Sequence, residues 1–188
     1  MRKLTRVIFG LAMLAGLFVG GVSRGDGQAP AVKTAELAPE MQKLGFLVGD
    51  WHYINKFEKS KMMPDGGASE GTYRATIGPG GHSILTDFEE TTGPMAGAAG
   101  HEVFTWDAAK SAFVGYAFSS DGAGCFTRTG SLEKDQLVFT REMNAGGKTV
   151  RMRFVYTEAK TDAITIEVYM SRGDAPLALA FTTRAKKI

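Results

Sequence analysis

The chain has 188 residues, which is enough for one domain with a sizeable hydrophobic core and a short additional segment. Its 22 basic and 20 acidic side chains give a net charge of +2, and the absence of any lysine- or arginine-rich run after residue 25 argues against nucleic-acid binding. Cys125 is the only cysteine, so an internal disulfide is excluded.

Residues 1–25 have the order of charged, apolar and small residues that is typical of a secretory signal peptide. Basic residues stand at positions 2, 3 and 6, and the uncharged run VIFGLAMLAGLFVGGV follows. This run is shorter than the roughly 20 residues that span a bilayer, which favours cleavage, after Ser23 or Gly25, over a membrane anchor. Removal of residues 1–25 leaves 18 basic and 20 acidic side chains. We predict an exported protein, periplasmic or extracellular, without membrane attachment after cleavage.

Residues 26–36 show no periodicity and are predicted to be a disordered leader. The next segment, APEMQKLGFLVG, predicts one short helix from about Pro39 to Leu44. Pro39 suits a first helical position, and Met41 and Leu44 fall on one face.

From Asp50 onward the hydrophobic period changes to two. The segments DWHYINKFEK and GTYRATI both alternate between apolar and polar residues, as half-buried strands do. Eight further segments of this kind follow, separated by turns rich in Gly, Asp, Asn or Pro: HSILTDFEETT, HEVFTWD, AFVGYAFS, GCFTRTGSL, QLVFTRE, KTVRMRFVYT, AITIEVYMS and PLALAFTTR. About ten consecutive strands predict an all-β antiparallel meander.

A meander of ten strands exposes two edges unless it closes into a barrel. The connections at 60–69, 92–100 and 119–124 all fall at one end and are the longest, whereas those at the other end are generally tighter. The sequence therefore predicts an up-and-down β-barrel over residues 37–186, with one open and one closed mouth.

Trp51 begins the first predicted strand and so lies at the closed end of this barrel. The last strand finishes at the same end, near Arg184, and in a closed barrel the first and last strands are neighbours. We therefore predict that Trp51 plugs the barrel beneath the Arg184 guanidinium, in a cation–π contact worth about 0.5 to 2 kcal/mol.

These features resemble the calycin superfamily, which includes lipocalins, fatty-acid-binding proteins and nitrobindins. A closer resemblance is to the secreted bacterial family called domain of unknown function 1579. That family opens with a Leu-x-x-Leu-x-Gly-x-Trp run, as in LGFLVGDW at 44–51, and tends to show a Gly-Gly turn and a C-terminal Arg, resembled by Gly80-Gly81 and Arg184. The resemblance implies a barrel and says little about activity.

Calycin barrels often hold a fatty acid, a retinoid or haem in their interior. Large apolar side chains at period two either line such a cavity or fill it. We predict that a small apolar or amphipathic molecule enters between the 60–69 and 92–100 loops. The residues predicted to contact it are Tyr53, Met62, Met63, Phe88, His101, Tyr116 and Phe154.

Three alternatives remain open from the sequence. The first is a structural or protein-interaction domain with a filled barrel. The second is a nitrobindin-like haem protein, for which His101 is the only plausible axial ligand. The third is an enzyme acting at the open mouth with His101 as its base. No nucleophile motif and no convergent ligand set occurs, so no catalytic residue, metal site or cofactor is predicted, and the oligomeric state is left open.

Overall fold

Ten antiparallel strands form a closed barrel in the computed structural model, which describes residues 36–60, 63–120, 124–134 and 136–188. Each strand pairs with the next along the chain, and β10 pairs with β1. The strands are β1 Gly49–Phe57, β2 Gly67–Ile77, β3 Ser83–Glu90, β4 Ala99–Asp107, β5 Ala112–Ser119, β6 Cys125–Glu133, β7 Gln136–Ala145, β8 Lys148–Ala159, β9 Ala163–Arg172 and β10 Ala178–Lys187. The predicted ten-stranded up-and-down barrel is confirmed.

The predicted signal peptide, and the leader up to residue 35, lie outside the described residues. Within the described part of the chain, no helix is both long and apolar enough to cross a membrane. The helical segments described there are short 3₁₀ turns, namely Met41–Leu47, Pro79–Gly81 and Gly93–Met95.

The N-terminal 3₁₀ helix covers the closed end of the barrel. It begins two residues later than predicted, because Pro39 and Glu40 form the turn that leads into it, and it continues to Leu47. Met41, Leu44 and Leu47 are buried against the barrel core. The backbone before the helix is held by a hydrogen bond from the Ala38 amide to the Gly81 carbonyl (3.0 Å), so the Gly80-Gly81 turn anchors the entry to the helix.

Trp51 lies at this closed end and has no exposed surface. Its indole Nε1 donates a hydrogen bond to the Leu47 carbonyl (2.9 Å), and its ring stacks on Tyr73 with 5.6 Å between centroids. Above the indole lies Lys187, whose Nζ is 5.5 Å from the ring centroid and donates to the Val48 carbonyl (2.9 Å).

The prediction that Arg184 lies over the indole is wrong. The β1–β10 register pairs Trp51 with Lys187 and pairs Arg184 with Ile54. Because side chains alternate between the two faces of a strand, a residue three positions before Lys187 points to the opposite face. Arg184 is accordingly exposed on the outer wall, beside the exposed side chain of Ile54.

The glycine of the Gly-x-Trp motif is required by this arrangement. Gly49 has φ +136°, and a Cβ at this position would lie 2.4 Å from Cε of Lys187. A left-handed, crowded position of this kind costs about 1 to 3 kcal/mol for a residue with a side chain. Lys187 reaches the indole across the surface that the missing Cβ leaves open.

We expect Gly49→Ala to lower the free energy of unfolding by about 1 to 3 kcal/mol, measured by urea denaturation. Gly45→Ala is the matched control, because its Cβ would meet only Leu37 Cδ1 at 3.4 Å and it lies within the 3₁₀ helix. The control should change stability by less than about 1 kcal/mol. Equal losses in the two variants would contradict the role given to Gly49.

Candidate functional site

A cavity of about 290 Å³ lies inside the barrel. Leu47 of the 3₁₀ helix contributes to its wall, together with inward-facing side chains of several strands. The lining residues are Leu47, Tyr53, Asn55, Tyr73, Thr86, Phe88, Glu90, Glu102, Phe104, Arg128, Phe154, Tyr156, Ile164, Ile166, Val168, Phe181, Thr183 and Ala185. Three of the predicted contact residues, Tyr53, Phe88 and Phe154, therefore lie on the cavity wall.

Glycines on the inner face of the barrel make room for the larger side chains of the wall. A Cβ on Gly115 of β5 would lie 3.0 Å from both Cγ and Nε of Arg128. A Cβ on Gly71 of β2 would lie 2.5 Å from the Tyr53 hydroxyl oxygen. The side chains of Arg128 and Tyr53 thus lie directly over glycine backbone.

A largely buried ion pair joins two strands across the interior. Arg128 on β6 contacts the carboxylate of Glu102 on β4. The guanidinium carbon also lies over the rings of Phe104 (4.9 Å), Phe139 (5.1 Å) and Phe154 (4.9 Å), so both Glu102 and aromatic faces stabilise the cation. The Nε atom of Arg128 is buried and has no hydrogen-bond partner among the residues that the structure describes. Burial raises the pKa of Glu102, and the charge of Arg128 offsets part of that rise.

A second polar cluster lies on the wall around Glu90, at the end of β3. Asn55 Nδ2 donates to Glu90 Oε1 (2.8 Å) and, at 3.3 Å, to the Ser69 hydroxyl. The Thr183 hydroxyl donates to Asn55 Oδ1 (2.6 Å). Glu90 is only 8% exposed, and its second oxygen, Oε2, has no hydrogen-bond partner within the described part of the chain. Among the described residues, two buried polar atoms on the cavity wall are therefore unpaired, Glu90 Oε2 as an acceptor and Arg128 Nε as a donor.

Three tyrosines contribute to the same wall, and burial is the main cause of a raised pKa in each. Burial raises the pKa of Tyr156 to about 12. Burial, followed by the charge of Glu90, raises the pKa of Tyr53, and burial followed by Tyr156 raises the pKa of Tyr73. The hydroxyl groups of these tyrosines thus remain protonated at neutral pH, as hydrogen-bond donors.

These shifts predict a loss of stability in alkali. Because the folded pKa of Tyr156 exceeds its ordinary value of 10, its contribution is complete below pH 10 and lost as pH rises through about 12. Its share is about 3 kcal/mol, from the value of about 1.4 kcal/mol per unit of pKa. Between pH 10 and about pH 12, the free energy of unfolding measured with urea should fall by about 3 kcal/mol less in Tyr156→Phe than in the wild type. A pH dependence identical to that of the wild type would contradict the assignment.

Two predicted contact residues lie on the outer wall instead of in the cavity. Tyr116 is 39% exposed, because β5 turns its small residues, Gly115 and Ala117, toward the interior that Arg128 and Phe104 fill. His101 is exposed and contacts Asp87 through its ring Nδ1 across the β3–β4 pair. The prediction that Tyr116 lines the cavity is wrong. His101, which was predicted to contact the ligand at the open mouth, is not among the residues that line the cavity.

The two predicted methionine contacts belong to the connection between β1 and β2. Met62 lies outside the described residues. Met63 is half-buried, and its carbonyl accepts hydrogen bonds from the amides of Ser60 (2.9 Å) and Gly66 (3.0 Å). It is not among the residues that line the cavity.

The placement of the histidines bears on the haem and enzyme alternatives. None of the three histidines of the chain, His52, His82 and His101, lines the cavity. A haem inside the barrel would therefore lack the histidine ligand that the nitrobindin-like interpretation requires. The described residues also contain no cluster of three potential metal ligands.

Three charged residues of the cavity wall, Glu90, Glu102 and Arg128, were not among the predicted contact residues. For Glu90 and Glu102, the alternation of inward and outward side chains along each strand could have indicated that they point inward. Glu102 stands two positions before Phe104, and Glu90 two positions after Phe88, so each shares the inner face with an aromatic residue. For Arg128, the equivalent signal was its position two residues before Gly130 and two after Phe126.

The closed ten-stranded barrel with an internal cavity defines a calycin-like barrel protein. A family model described as "Protein of unknown function (DUF1579)" matches residues 36–187, and the chain belongs to this family. The resemblance inferred from the sequence is thus confirmed.

Among solved structures, the chain is similar to the S-type phycobiliprotein lyase CPES from Guillardia theta, with a TM-score of 0.51 and 9% sequence identity. The match covers 79% of this chain and 92% of the lyase chain. At this identity the likeness shows a shared barrel fold. Comparison with the curated proteins found no match.

Proposed function

We propose that this protein binds a small amphipathic molecule in the barrel cavity. The observation that carries the proposal is the pair of unpaired polar atoms, Glu90 Oε2 and Arg128 Nε, on residues that line an otherwise largely apolar and aromatic wall. A buried polar atom without a hydrogen-bond partner costs about 1 to 3 kcal/mol. A ligand that forms hydrogen bonds with these atoms would remove this cost, which favours binding. The remaining wall supplies apolar contact area.

The volume of the cavity limits the size of the ligand. Small-molecule pockets usually measure about 300 to 1,000 Å³, and an apolar cavity of about 150 Å³ in another protein binds benzene. A cavity of about 290 Å³ thus suits a single substituted ring or a short chain. A molecule as large as haem or a retinoid exceeds it. The proposed ligand is accordingly smaller than those that calycin relatives hold.

Native mass spectrometry of the protein purified from a bacterial host tests the proposal. We expect a discrete non-covalent adduct whose mass identifies the class of ligand. Gly115→Ala should reduce the fraction of protein that carries the adduct, because the added Cβ would lie 3.0 Å from Cγ and Nε of Arg128 and shift this cavity-lining side chain. Gly45→Ala, whose Cβ meets only Leu37, should retain the wild-type fraction. An adduct of the same abundance in the wild type, Gly115→Ala and Gly45→Ala would contradict binding beside Arg128 in the cavity.

We also propose that the protein is exported. The basic residues before position 7, the apolar run at 7–22 and the small residues after it support this proposal. Expression of the full chain in a bacterial host should give a protein that lacks the first 23 to 25 residues and is recovered from the periplasm or medium. A full-length product that remains with the cytoplasmic fraction would contradict export.

A further inference from the structure

The charges on the cavity wall do not balance among the described residues. The lining residues include two carboxylates, Glu90 and Glu102, and one guanidinium, Arg128. Arg128 is engaged with Glu102. No described cationic side chain forms an ion pair with Glu90. One acidic group of the cavity is therefore left without a counter-charge from the described part of the chain.

The surroundings of Glu90 suit a cation. Asn55 donates a hydrogen bond to Oε1 of Glu90, while Oε2 is buried and has no hydrogen-bond partner among the described residues. The Tyr53 hydroxyl lies close enough to this carboxylate for Glu90 to contribute, after burial, to the raised pKa of Tyr53. Phe88 precedes Glu90 by two residues on β3 and shares the inner face, and Tyr53 and Phe88 both line the cavity with it. A cation in this cavity would form an ion pair with the Glu90 carboxylate, and the aromatic side chains of the same wall would add apolar and cation–π contacts.

We propose that the ligand of the cavity is a small organic cation, an amine or amidine on a compact apolar body, with its protonated nitrogen on Glu90 Oε2. The inference rests on the proposed function, because it specifies the ligand of the same cavity. An organic anion is disfavoured, since Arg128 is already engaged by Glu102 and the anion would face two carboxylates.

Isothermal titration calorimetry with three probes of one size tests the charge preference: benzylamine, benzyl alcohol and benzoate. Backbone NMR shifts of the cavity-lining residues establish where each probe binds. We expect benzylamine to bind in the cavity about 10- to 100-fold more tightly than benzyl alcohol, the ratio expected for a hydrogen bond to a charged group. Benzoate should bind more weakly than either.

Glu90→Gln keeps the shape of the side chain and removes its charge, so it should abolish the preference for benzylamine. Glu89→Gln is the matched control, because the neighbouring residue on β3 points to the opposite face and does not line the cavity. This variant should keep the wild-type ratio of affinities.

The outcomes separate this inference from the proposal of ligand binding. If benzyl alcohol or benzoate binds in the cavity as tightly as benzylamine, the cavity is a binding site but not one for cations, and the inference is overturned alone. The same holds if the preference for benzylamine survives Glu90→Gln. If none of the three probes shifts the signals of cavity-lining residues, both the inference and the proposed function fail.

Discussion

Trp51→Ala is expected to lower the free energy of unfolding by about 3 to 5 kcal/mol, the cost of truncating a fully buried large aromatic residue. The indole has no exposed surface, stacks on Tyr73 and lies beneath Lys187. Its loss would leave a void between the 3₁₀ helix and the barrel. Urea unfolding of the variant can be followed by the fluorescence of Trp106, which is the other tryptophan of the chain.

Trp51→Phe separates the two contributions of the indole. Phenylalanine retains most of the apolar contact but leaves the Leu47 carbonyl without the donor that Nε1 supplies at 2.9 Å. Its cost should therefore be about 1 to 3 kcal/mol, the penalty for an unsatisfied buried acceptor. A loss below about 1 kcal/mol for Trp51→Ala would contradict the structural role given to this residue.

The barrel could be predicted because its signals are local. A period of two within each segment and Gly, Asp or Asn between segments fix the number of strands without reference to distant residues. Closure followed from the need to pair both edges. The relation of Trp51 to the last strand, by contrast, depends on the register of β1 against β10. No local feature distinguishes a register that places Arg184 over the indole from the observed register, which places Lys187 there.

The cavity was only partly predictable, because hydrophobicity is an incomplete guide to which face is inside. Large apolar residues were predicted to point inward, which holds for Phe88 and Phe154 but not for Tyr116. Phe113 of β5 is buried in the core, but the two inward positions that follow it belong to the small residues Gly115 and Ala117, since Arg128 from the adjacent β6 lies over Gly115. Arg128 is paired with the carboxylate of Glu102 on β4 and lies over the backbone of Gly115 on β5. That combination exists only once the strands are paired.

The ion pair between Arg128 and Glu102 is expected to contribute strongly to the stability of the barrel. Arg128→Met should lower the free energy of unfolding by about 3 to 5 kcal/mol, because it leaves the carboxylate of Glu102 buried without its cation. Replacing both members, in Arg128→Met/Glu102→Leu, should bring stability back to within about 1 to 2 kcal/mol of the wild type, since apolar side chains of similar volume often substitute for a buried pair. Urea unfolding of the wild type, both single variants and the double variant gives the coupling energy.

The pH dependence of Arg128→Met identifies the cause of its instability. Burial alone already raises the pKa of Glu102 above its ordinary value of 4.5, and removal of Arg128 takes away the opposing charge. A folded pKa above the unfolded one means that stability is complete below about pH 4.5 and falls as pH rises through the folded pKa. Arg128→Met should therefore lose stability more steeply above pH 4.5 than the wild type, by up to about 1.4 kcal/mol per pH unit. The double variant lacks the carboxylate and should not show this additional slope. If Arg128→Met and the double variant had the same slope, lost packing against the three phenylalanine rings, not the unpaired carboxylate, would account for the cost of removing Arg128.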